Sequence, residues 1–168
     1  MTHNPSRLAT ILRLALFASI ASLLLAFIAQ YGFGLLPCHL CYAQRVPFAI
    51  VIVLAVLGLW KPRHQIWLIL IIGTAFLINS GIASYHAAVE KQWVSGPTGC
   101  TTGEAPANES TEDFLKRIQA APVITCDQPQ WQFHGITMAG LNAVWCLFLS
   151  VVTFAALWHA RKKEVAHA

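Results

Sequence analysis

The sequence predicts an all-α membrane protein, a four-transmembrane-helix bundle in one domain with a periplasmic loop that carries a short amphipathic helix. Two observations predict this fold. Hydrophobic residues make up 57% of the chain and charged residues only 11%, whereas a soluble domain carries about 25% charged residues. The charges also avoid four apolar segments, and about 20 apolar residues cross a bilayer as a helix. We place the spans at about 14–36, 42–60, 66–85 and 136–158.

The second segment is the shortest of the four. It is free of charge only between Val46 and Trp60. It extends toward Tyr42 if the side chain of Arg45 reaches out of the apolar region with its guanidinium group in water. The sequence therefore predicts four spans, with Arg45 at one end of the second.

Lysines and arginines predict the orientation, because they are enriched in cytoplasmic loops. The predicted cytoplasmic side carries seven of them: Arg7, Arg13, Lys61, Arg63, Arg161, Lys162 and Lys163. Both termini are then cytoplasmic, and the loops at about 37–44 and 86–135 are periplasmic in a bacterial inner membrane. The sequence pI of about 9.0 reflects this cytoplasmic anchoring and does not indicate nucleic-acid binding. The first apolar run is too long for a typical cleaved signal peptide.

The periplasmic loop at 86–135 is the only sizeable polar segment. Within it, STEDFLKRIQ at 110–119 places Ser110 and Asp113 at the spacing of a capping box before three apolar residues. This pattern predicts a short amphipathic helix on the membrane surface. Trp131 and Phe133 approach the fourth span, where aromatic side chains are typical of the membrane interface.

Cysteines divide between the periplasmic side and the membrane interior. Cys38, Cys41, Cys100 and Cys126 fall in the periplasmic loops, whereas Cys146 lies within the fourth span. Disulfides form and persist in oxidising compartments such as the periplasm. The four periplasmic cysteines therefore form an even set that can hold disulfides, and Cys146 is interpreted as a small buried apolar residue.

The stretch PCHLCYAQR at 37–45 contains a Cys-x-x-Cys pair. If the second helix begins near Pro37, both thiols occupy its first turn or its cap, where the helix dipole favours a thiolate. Arg45 is four residues after Cys41 and hence on the same helix face. Its guanidinium favours a thiolate on Cys41 and can donate hydrogen bonds to a ligand carbonyl. A pair this close in sequence suits redox exchange better than structural stapling.

Other interpretations of the cysteines remain open from the residues alone. The pair Cys38 and Cys41 can be half of a zinc site, with Cys100 and Cys126 as the other half, although the spacing of the second pair does not match a zinc ribbon. Cys100 and Cys126 can also form an ordinary structural disulfide. Haem attachment is excluded because Tyr42 follows Cys41 where a histidine is required.

Several polar and small residues near the spans have plain structural interpretations. Arg45 can be an interfacial cation, and His86 a partly solvated histidine at the periplasmic end of the third span. Asn79 and Asn142 are expected to form hydrogen bonds between helices. The small residues Gly73, Gly81 and Gly140 are expected to allow close helix packing.

Together these features resemble the DsbB family of bacterial inner-membrane disulfide-forming proteins. The likeness rests on PCHLCYAQR at 37–45, SYHAAVE at 84–90, Cys100, and CDQPQWQFHGITM at 126–138. It covers most of the chain, including the four spans and the order of the four periplasmic cysteines. Gln44 is a departure, because an acidic residue can precede the arginine in this family.

The resemblance implies an electron relay between two cysteine pairs. Cys100 and Cys126 match the mobile-loop pair, which accepts electrons from a periplasmic thioredoxin-like partner of the DsbA type. Cys100 is expected to form the mixed disulfide with that partner. Cys126 is then expected to attack Cys38 and release Cys41 as a thiolate.

The resemblance also implies a cofactor, a membrane quinone, which is either ubiquinone or menaquinone. Cys41 is expected to pass electrons to it, Arg45 matches the arginine of the quinone site, and His86 matches a histidine thought to assist there. No metal site is implied. The expected function is that of a quinone-dependent protein-dithiol oxidase whose partners are the DsbA-type protein, the quinone and the lipid bilayer.

Three alternatives come from neighbouring or different functional classes. The first is a DsbB-like oxidase dedicated to one periplasmic partner. The second is an enzyme of the vitamin K epoxide reductase type, which the order of the motifs disfavours because there the Cys-x-x-Cys pair belongs to a later helix. The third is a non-catalytic membrane scaffold stapled by disulfides. A transporter is disfavoured, since the spans contain no internal acidic or basic relay.

Overall fold

The computed structural model describes residues 5–97, 110, 112 and 125–165, without the side chains of residues 5 and 163–165. Four long helices dominate this part of the chain: α1 (Pro5–Phe27), α2 (His39–Trp60), α3 (Gln65–Glu90) and α4 (Met138–Val165). With the turns that adjoin α1 and α3, these helices give four segments long and apolar enough to cross a membrane, the shortest having 22 residues. The predicted four-helix membrane fold is confirmed.

The ends of the helices differ from the predicted spans mainly at the first one. α1 begins at Pro5, and after Phe27 the chain continues as one π-helical turn, Ile28–Gly32. Residues 33–36, which the sequence placed in the first span, are not helical. Gly34 has a φ of +69°, a left-handed conformation that glycine adopts without strain and that the helix cannot continue through. The helical residues therefore end at Gly32, more than one turn before the first cysteine of the Cys-x-x-Cys pair, Cys38.

Short connections make neighbouring helices antiparallel. Residues 33–38 join the π-helical turn to α2, and Lys61 with a single 3₁₀ turn, Pro62–His64, joins α2 to α3. α2 packs against both α1 and α3, and α3 packs most extensively against α4. This up-and-down order brings the start of α2, the end of α3 and the start of α4 to one end of the bundle.

Buried apolar residues from all four helices form the core. They include Leu12 of α1, Val51 of α2, Phe76 of α3 and Leu157 of α4. Large apolar side chains also cover the outside of the bundle, as they must where a helix faces lipid tails and not water.

Close packing of α3 and α4 depends on Gly73. A Cβ atom at that position would lie 2.8 Å from the ring of Phe154, and the Gly73 carbonyl accepts a 2.9 Å hydrogen bond from Ser150. The expectation for Gly73 is confirmed. At Gly81 a Cβ atom would meet no heavy atom within 4 Å, so the same expectation for Gly81 is wrong.

A two-residue turn closes a small hairpin just before α4. The strands β1 (Gln132–Phe133) and β2 (Ile136–Thr137) are antiparallel, and His134 and Gly135 both have positive φ angles, of 49° and 77°. Two consecutive positive φ angles are typical of the type I′ turn, which matches the twist of paired strands. The Trp131 and Phe133 rings stack with centroids 6.5 Å apart on the exposed side.

The predicted amphipathic helix at 110–119 lies outside the described residues apart from Ser110 and Glu112. Cys100 lies outside them as well. Both therefore stay predictions.

Candidate functional site

The Cys-x-x-Cys pair occupies the beginning of α2, as predicted. Cys38 is the N-cap residue, with an extended backbone (φ −79°, ψ 176°), and its Sγ atom accepts a hydrogen bond from the backbone N–H of Cys41 at 3.3 Å. The Cys38 thiol donates to Cys41 Sγ at 3.0 Å. Cap hydrogen bonds of this kind satisfy one of the free N–H groups of the first turn. The two sulfur atoms are thus held together at the positive end of the helix dipole.

Cys38 lies just outside the membrane-spanning part of α2 and is only 6% exposed. Its hydrogen bond to Cys41 and its burial together raise the pKa of the Cys38 thiol to about 12, although the nearby His86 acts in the opposite direction. A thiol that donates a hydrogen bond and has little water around it resists losing its proton. In the reduced protein, Cys38 therefore keeps its proton over the ordinary pH range.

His86 belongs to the dithiol site. Its side chain extends from the last turns of α3, and its Nε2 atom lies 3.4 Å from Cys38 Sγ and 3.7 Å from Glu90 Oε1. On the opposite side of the ring, Nδ1 lies 2.7 Å from Nε2 of Gln44. His86 is 3% exposed, so the interpretation of a partly solvated histidine is wrong. The side chain fits too tightly among the helix ends for water to surround it.

Cys126 also packs into this end of the bundle. Cys38, Val89 and Cys126 form one buried cluster, against which Leu40 and Cys41 pack from the first turn of α2. Cys126 is 1% exposed. The fold therefore brings Cys126, from the loop between α3 and α4, to the Cys-x-x-Cys pair, which is far away along the chain.

Arg45 faces α1. Its Nη1 atom donates to Gln30 Oε1 at 2.7 Å, and its guanidinium carbon lies 5.1 Å from the ring centroids of both Phe27 and Tyr42. A guanidinium above an aromatic ring is attracted by the negative face of the ring. Arg45 is therefore a fixed, half-buried cation between α1 and α2, one turn beyond Cys41, and Gln30 is its one hydrogen-bond acceptor among the described residues.

Three polar residues complete the surroundings of His86 and were not predicted as site residues. Gln44 is 7% exposed, and its Oε1 atom accepts a 2.7 Å hydrogen bond from Nδ2 of Asn142 on α4. Glu90 follows His86 by one helical turn. Asn142 was expected only to link helices, as was Asn79, and this is confirmed, because Asn79 donates to Cys146 on α4. For Gln44 and Asn142 the available signal was a polar side chain inside a predicted span, which is costly without a purpose.

Comparison with known proteins places the chain in a family. The family described as "Disulfide bond formation protein DsbB" matches residues 8–156, which is most of the chain. The protein is a member of the DsbB family. The recognition made from the sequence is thereby confirmed.

Similar proteins share the family description at modest identity. A disulfide bond formation protein B of Xanthomonas euvesicatoria is 28% identical over 148 residues, covering 84% of this chain and 86% of its own. One of Shewanella frigidimarina is 26% identical over 150 residues, covering 86% and 84%. An uncharacterized protein of Rickettsia prowazekii is 27% identical over 141 residues, covering 81% and 82%. No solved structure gives a significant match.

Membership in the DsbB family makes this chain a multi-pass membrane protein and a disulfide oxidoreductase with a role in disulfide bond formation. Cys38 and Cys41 at the beginning of α2 and Cys126 before α4 bring three thiol groups together at one end of the bundle.

Proposed function

We propose that the protein oxidises a periplasmic thioredoxin-like dithiol protein of the DsbA type and transfers the electron pair to a quinone in the bacterial inner membrane. The observation that carries the proposal is the buried cluster of Cys38 and Cys126 with Cys41 at its edge. Thiol–disulfide exchange requires a sulfur atom to attack another directly. A second-loop cysteine packed on the Cys-x-x-Cys pair supports such an exchange between the two pairs.

The proposed sequence of steps conserves electrons and protons. A thiolate of the partner attacks the Cys100–Cys126 disulfide at Cys100, and the released Cys126 thiolate attacks Cys38 of the Cys38–Cys41 disulfide. Cys41 leaves as a thiolate. The second thiol of the partner then resolves the mixed disulfide at Cys100, so the partner loses two electrons and two protons. Cys100 then attacks Cys126, which restores the Cys100–Cys126 disulfide and releases Cys38. The reduced Cys38/Cys41 pair would give two electrons and two protons to a quinone as the Cys38–Cys41 disulfide forms again.

Arg45 is the residue that best fits a quinone. Its guanidinium is held by Gln30, Phe27 and Tyr42, and the two rings are 42% and 52% exposed on the outside of the bundle, where lipid lies. Free N–H groups of a fixed guanidinium can bind a carbonyl oxygen, and the exposed rings can stack with a flat ligand. The residues present therefore fit a flat cyclic dione that arrives from the membrane.

The energetics favour a membrane acceptor. A DsbA-type partner has a reduction potential of about −120 mV, which makes it a strong oxidant. Exchange with an ordinary disulfide would transfer electrons away from the partner only against the gradient, at about 1.4 kcal/mol for each 30 mV. A stronger oxidant beside Cys41 removes this difficulty.

The test is the absorbance of a soluble quinone analogue mixed with purified protein and a reduced DsbA-type partner. We expect rapid quinone reduction that is lost in Cys41→Ser and Cys100→Ser and retained in Ser84→Ala, whose hydroxyl bonds within its own helix. Undiminished reduction by Cys41→Ser would refute the proposal. Reduction with a single DsbA-type protein among several would identify a dedicated oxidase.

A further inference from the structure

A continuous chain of hydrogen bonds leads from the interior of the bundle to the dithiol. Nδ2 of Asn79 donates to Cys146 Sγ at 3.4 Å, and the Cys146 thiol donates to Oδ1 of Asn142 at 3.4 Å. Nδ2 of Asn142 then donates to Oε1 of Gln44 at 2.7 Å. The chain continues from Gln44 to His86, whose ring nitrogen Nδ1 lies 2.7 Å from Nε2 of Gln44.

The direction of this chain fixes the proton on His86. The Gln44 oxygen is occupied as an acceptor by Asn142, so the group that faces Nδ1 of His86 is the amide NH₂ of Gln44. An amide NH₂ can only donate. Nδ1 must therefore accept, and a neutral imidazole that accepts at Nδ1 carries its hydrogen on Nε2.

The contacts on the other side of the ring indicate independently that the hydrogen is on Nε2. Nε2 faces Cys38 Sγ at 3.4 Å and Glu90 Oε1 at 3.7 Å. The Cys38 thiol hydrogen is already used, because it is donated to Cys41. Sulfur and carboxylate oxygen are then both acceptors, and an N–H on Nε2 is the donor that they need. Glu90 is buried in the structure, with its side chain 7% exposed.

We propose that Gln44, itself oriented by Asn142, is a positioning residue that holds His86 as the Nε2–H tautomer and so presents a hydrogen-bond donor to the Cys38 sulfur. Every donor of the chain then points toward the dithiol. The role of this hydrogen bond in electron transfer rests on the proposed function. The assignment of the tautomer does not rest on it, because the tautomer is measured without partner or quinone.

This tautomer also decides whether the site binds metal. Cys38 Sγ, Cys41 Sγ and a ring nitrogen of His86 lie within 4.8 Å of one another, as the ligands of a metal ion do. Two thiolates and an imidazole suit zinc, but only a nitrogen without hydrogen can ligate. With the hydrogen on Nε2, the reduced dithiol lacks its third ligand. An acceptor in place of the Gln44 amide would reverse the tautomer and complete the set.

The first experiment is ¹⁵N NMR of histidine-labelled, reduced protein in micelles, with the His86 signals assigned by their loss in His86→Gln. We expect the chemical shift of an unprotonated nitrogen at Nδ1 and of an N–H nitrogen at Nε2 in the neutral ring. The opposite pattern in the wild-type protein would overturn the proposal. This measurement requires no variant of Gln44 to fold.

The second experiment is a zinc titration of the reduced protein and its variants. We expect Gln44→Glu to reverse the NMR pattern and to raise zinc affinity by about 10- to 100-fold. Hydrogen-bond partners of metal-binding histidines change metal affinity over this range. Asn142→Asp should do the same from a position beyond Gln44, because its carboxylate draws the Gln44 NH₂ and turns the Gln44 oxygen toward Nδ1.

The matched control is Gln65→Glu, which places the same substitution at another buried glutamine, one that donates to the Gly58 carbonyl in α2. Zinc affinity should not change there. Lost structure would lower zinc affinity and not raise it, so a gain in both Gln44→Glu and Asn142→Asp supports the positioning role. Unchanged zinc affinity together with an unchanged NMR pattern in folded Gln44→Glu would contradict it.

Discussion

Nε2 of His86 lies 3.4 Å from Sγ of Cys38, although 48 positions separate the two residues. The contact exists because α2 and α3 are antiparallel neighbours, so the N-cap of one meets the last turns of the other. It joins a histidine to the neighbouring sulfur atoms of Cys38 and Cys41.

His86→Gln is expected to slow oxidation of a reduced DsbA-type partner by about 2- to 10-fold, because a hydrogen bond to a neutral group contributes about 0.5–1.5 kcal/mol. The rate of quinone reduction measures the effect. His64→Gln, in the exposed 3₁₀ turn at the other end of the bundle, serves as the control and should behave as wild type. Equal rates for both variants would remove His86 from the proposed site.

The order of sulfur transfer can be tested by trapping. In Cys41→Ser, the Cys38 thiol can attack Cys126 of the Cys100–Cys126 disulfide, forming a Cys38–Cys126 bond and releasing Cys100. We expect this bond to accumulate, because Cys38 and Cys126 share one buried cluster and the hydroxyl group that replaces the Cys41 thiol cannot reopen it. Non-reducing peptide mapping identifies the bond. Cys38→Ser is the comparison, and an equal yield of Cys41–Cys126 there would contradict the proposed order.

The pKa of about 12 for Cys38 predicts how the reduced protein reacts with pH. Below about pH 9 the thiol is protonated, and its alkylation rate should rise about tenfold for each pH unit without levelling off before about pH 11. Cys41→Ala removes the acceptor of the Cys38 hydrogen bond, so the midpoint should move down toward the ordinary value of 9.0. The midpoint is decisive, because restricted access slows the reaction equally at every pH.

Substitution of Arg45 tests the proposed quinone contact. Arg45→Lys keeps the charge but loses the planar group that lies over Phe27 and Tyr42. We expect KM for the quinone analogue to rise about tenfold, equivalent to about 1.4 kcal/mol, which is of the order of one cation–π contact. Lys91→Met is the control, because Lys91 also lies over an aromatic ring, that of Trp93 at 5.3 Å. An unchanged KM in Arg45→Lys would place the quinone elsewhere.

Two glycines of α3 are expected to respond differently to the same substitution. Gly73→Ala puts a methyl group 2.8 Å from the Phe154 ring and should destabilise the bundle by about 1–3 kcal/mol, the usual effect of overpacking. Gly81→Ala meets no neighbour within 4 Å and should stabilise the helix by up to about 1 kcal/mol. Unfolding by denaturant in mixed micelles measures both. The same change in both variants would contradict the close approach of α3 and α4.

Local patterns in the sequence predicted much of the site. The apolar segments placed four membrane helices, and the spacing of Cys38, Cys41 and Arg45 placed the dithiol in the first turn of the second helix. These features follow from hydropathy and from the period of a single helix, both of which are properties of a short stretch of chain. The resemblance to the DsbB family, which rests on the same motifs, was correct for the same reason.

The sequence alone could not decide which side chains meet between helices. Burial of His86, its contacts with Gln44 and Cys38, and the packing of Cys126 on the dithiol all depend on how the helices are rotated and shifted against one another. Crossing angles and register arise from the fit of many side chains along each interface. Asn142 illustrates this, since its hydrogen bond to Gln44 spans 98 positions and exists only because α4 packs at this register. The sequence determined the chemical groups and the tertiary structure determined their partners.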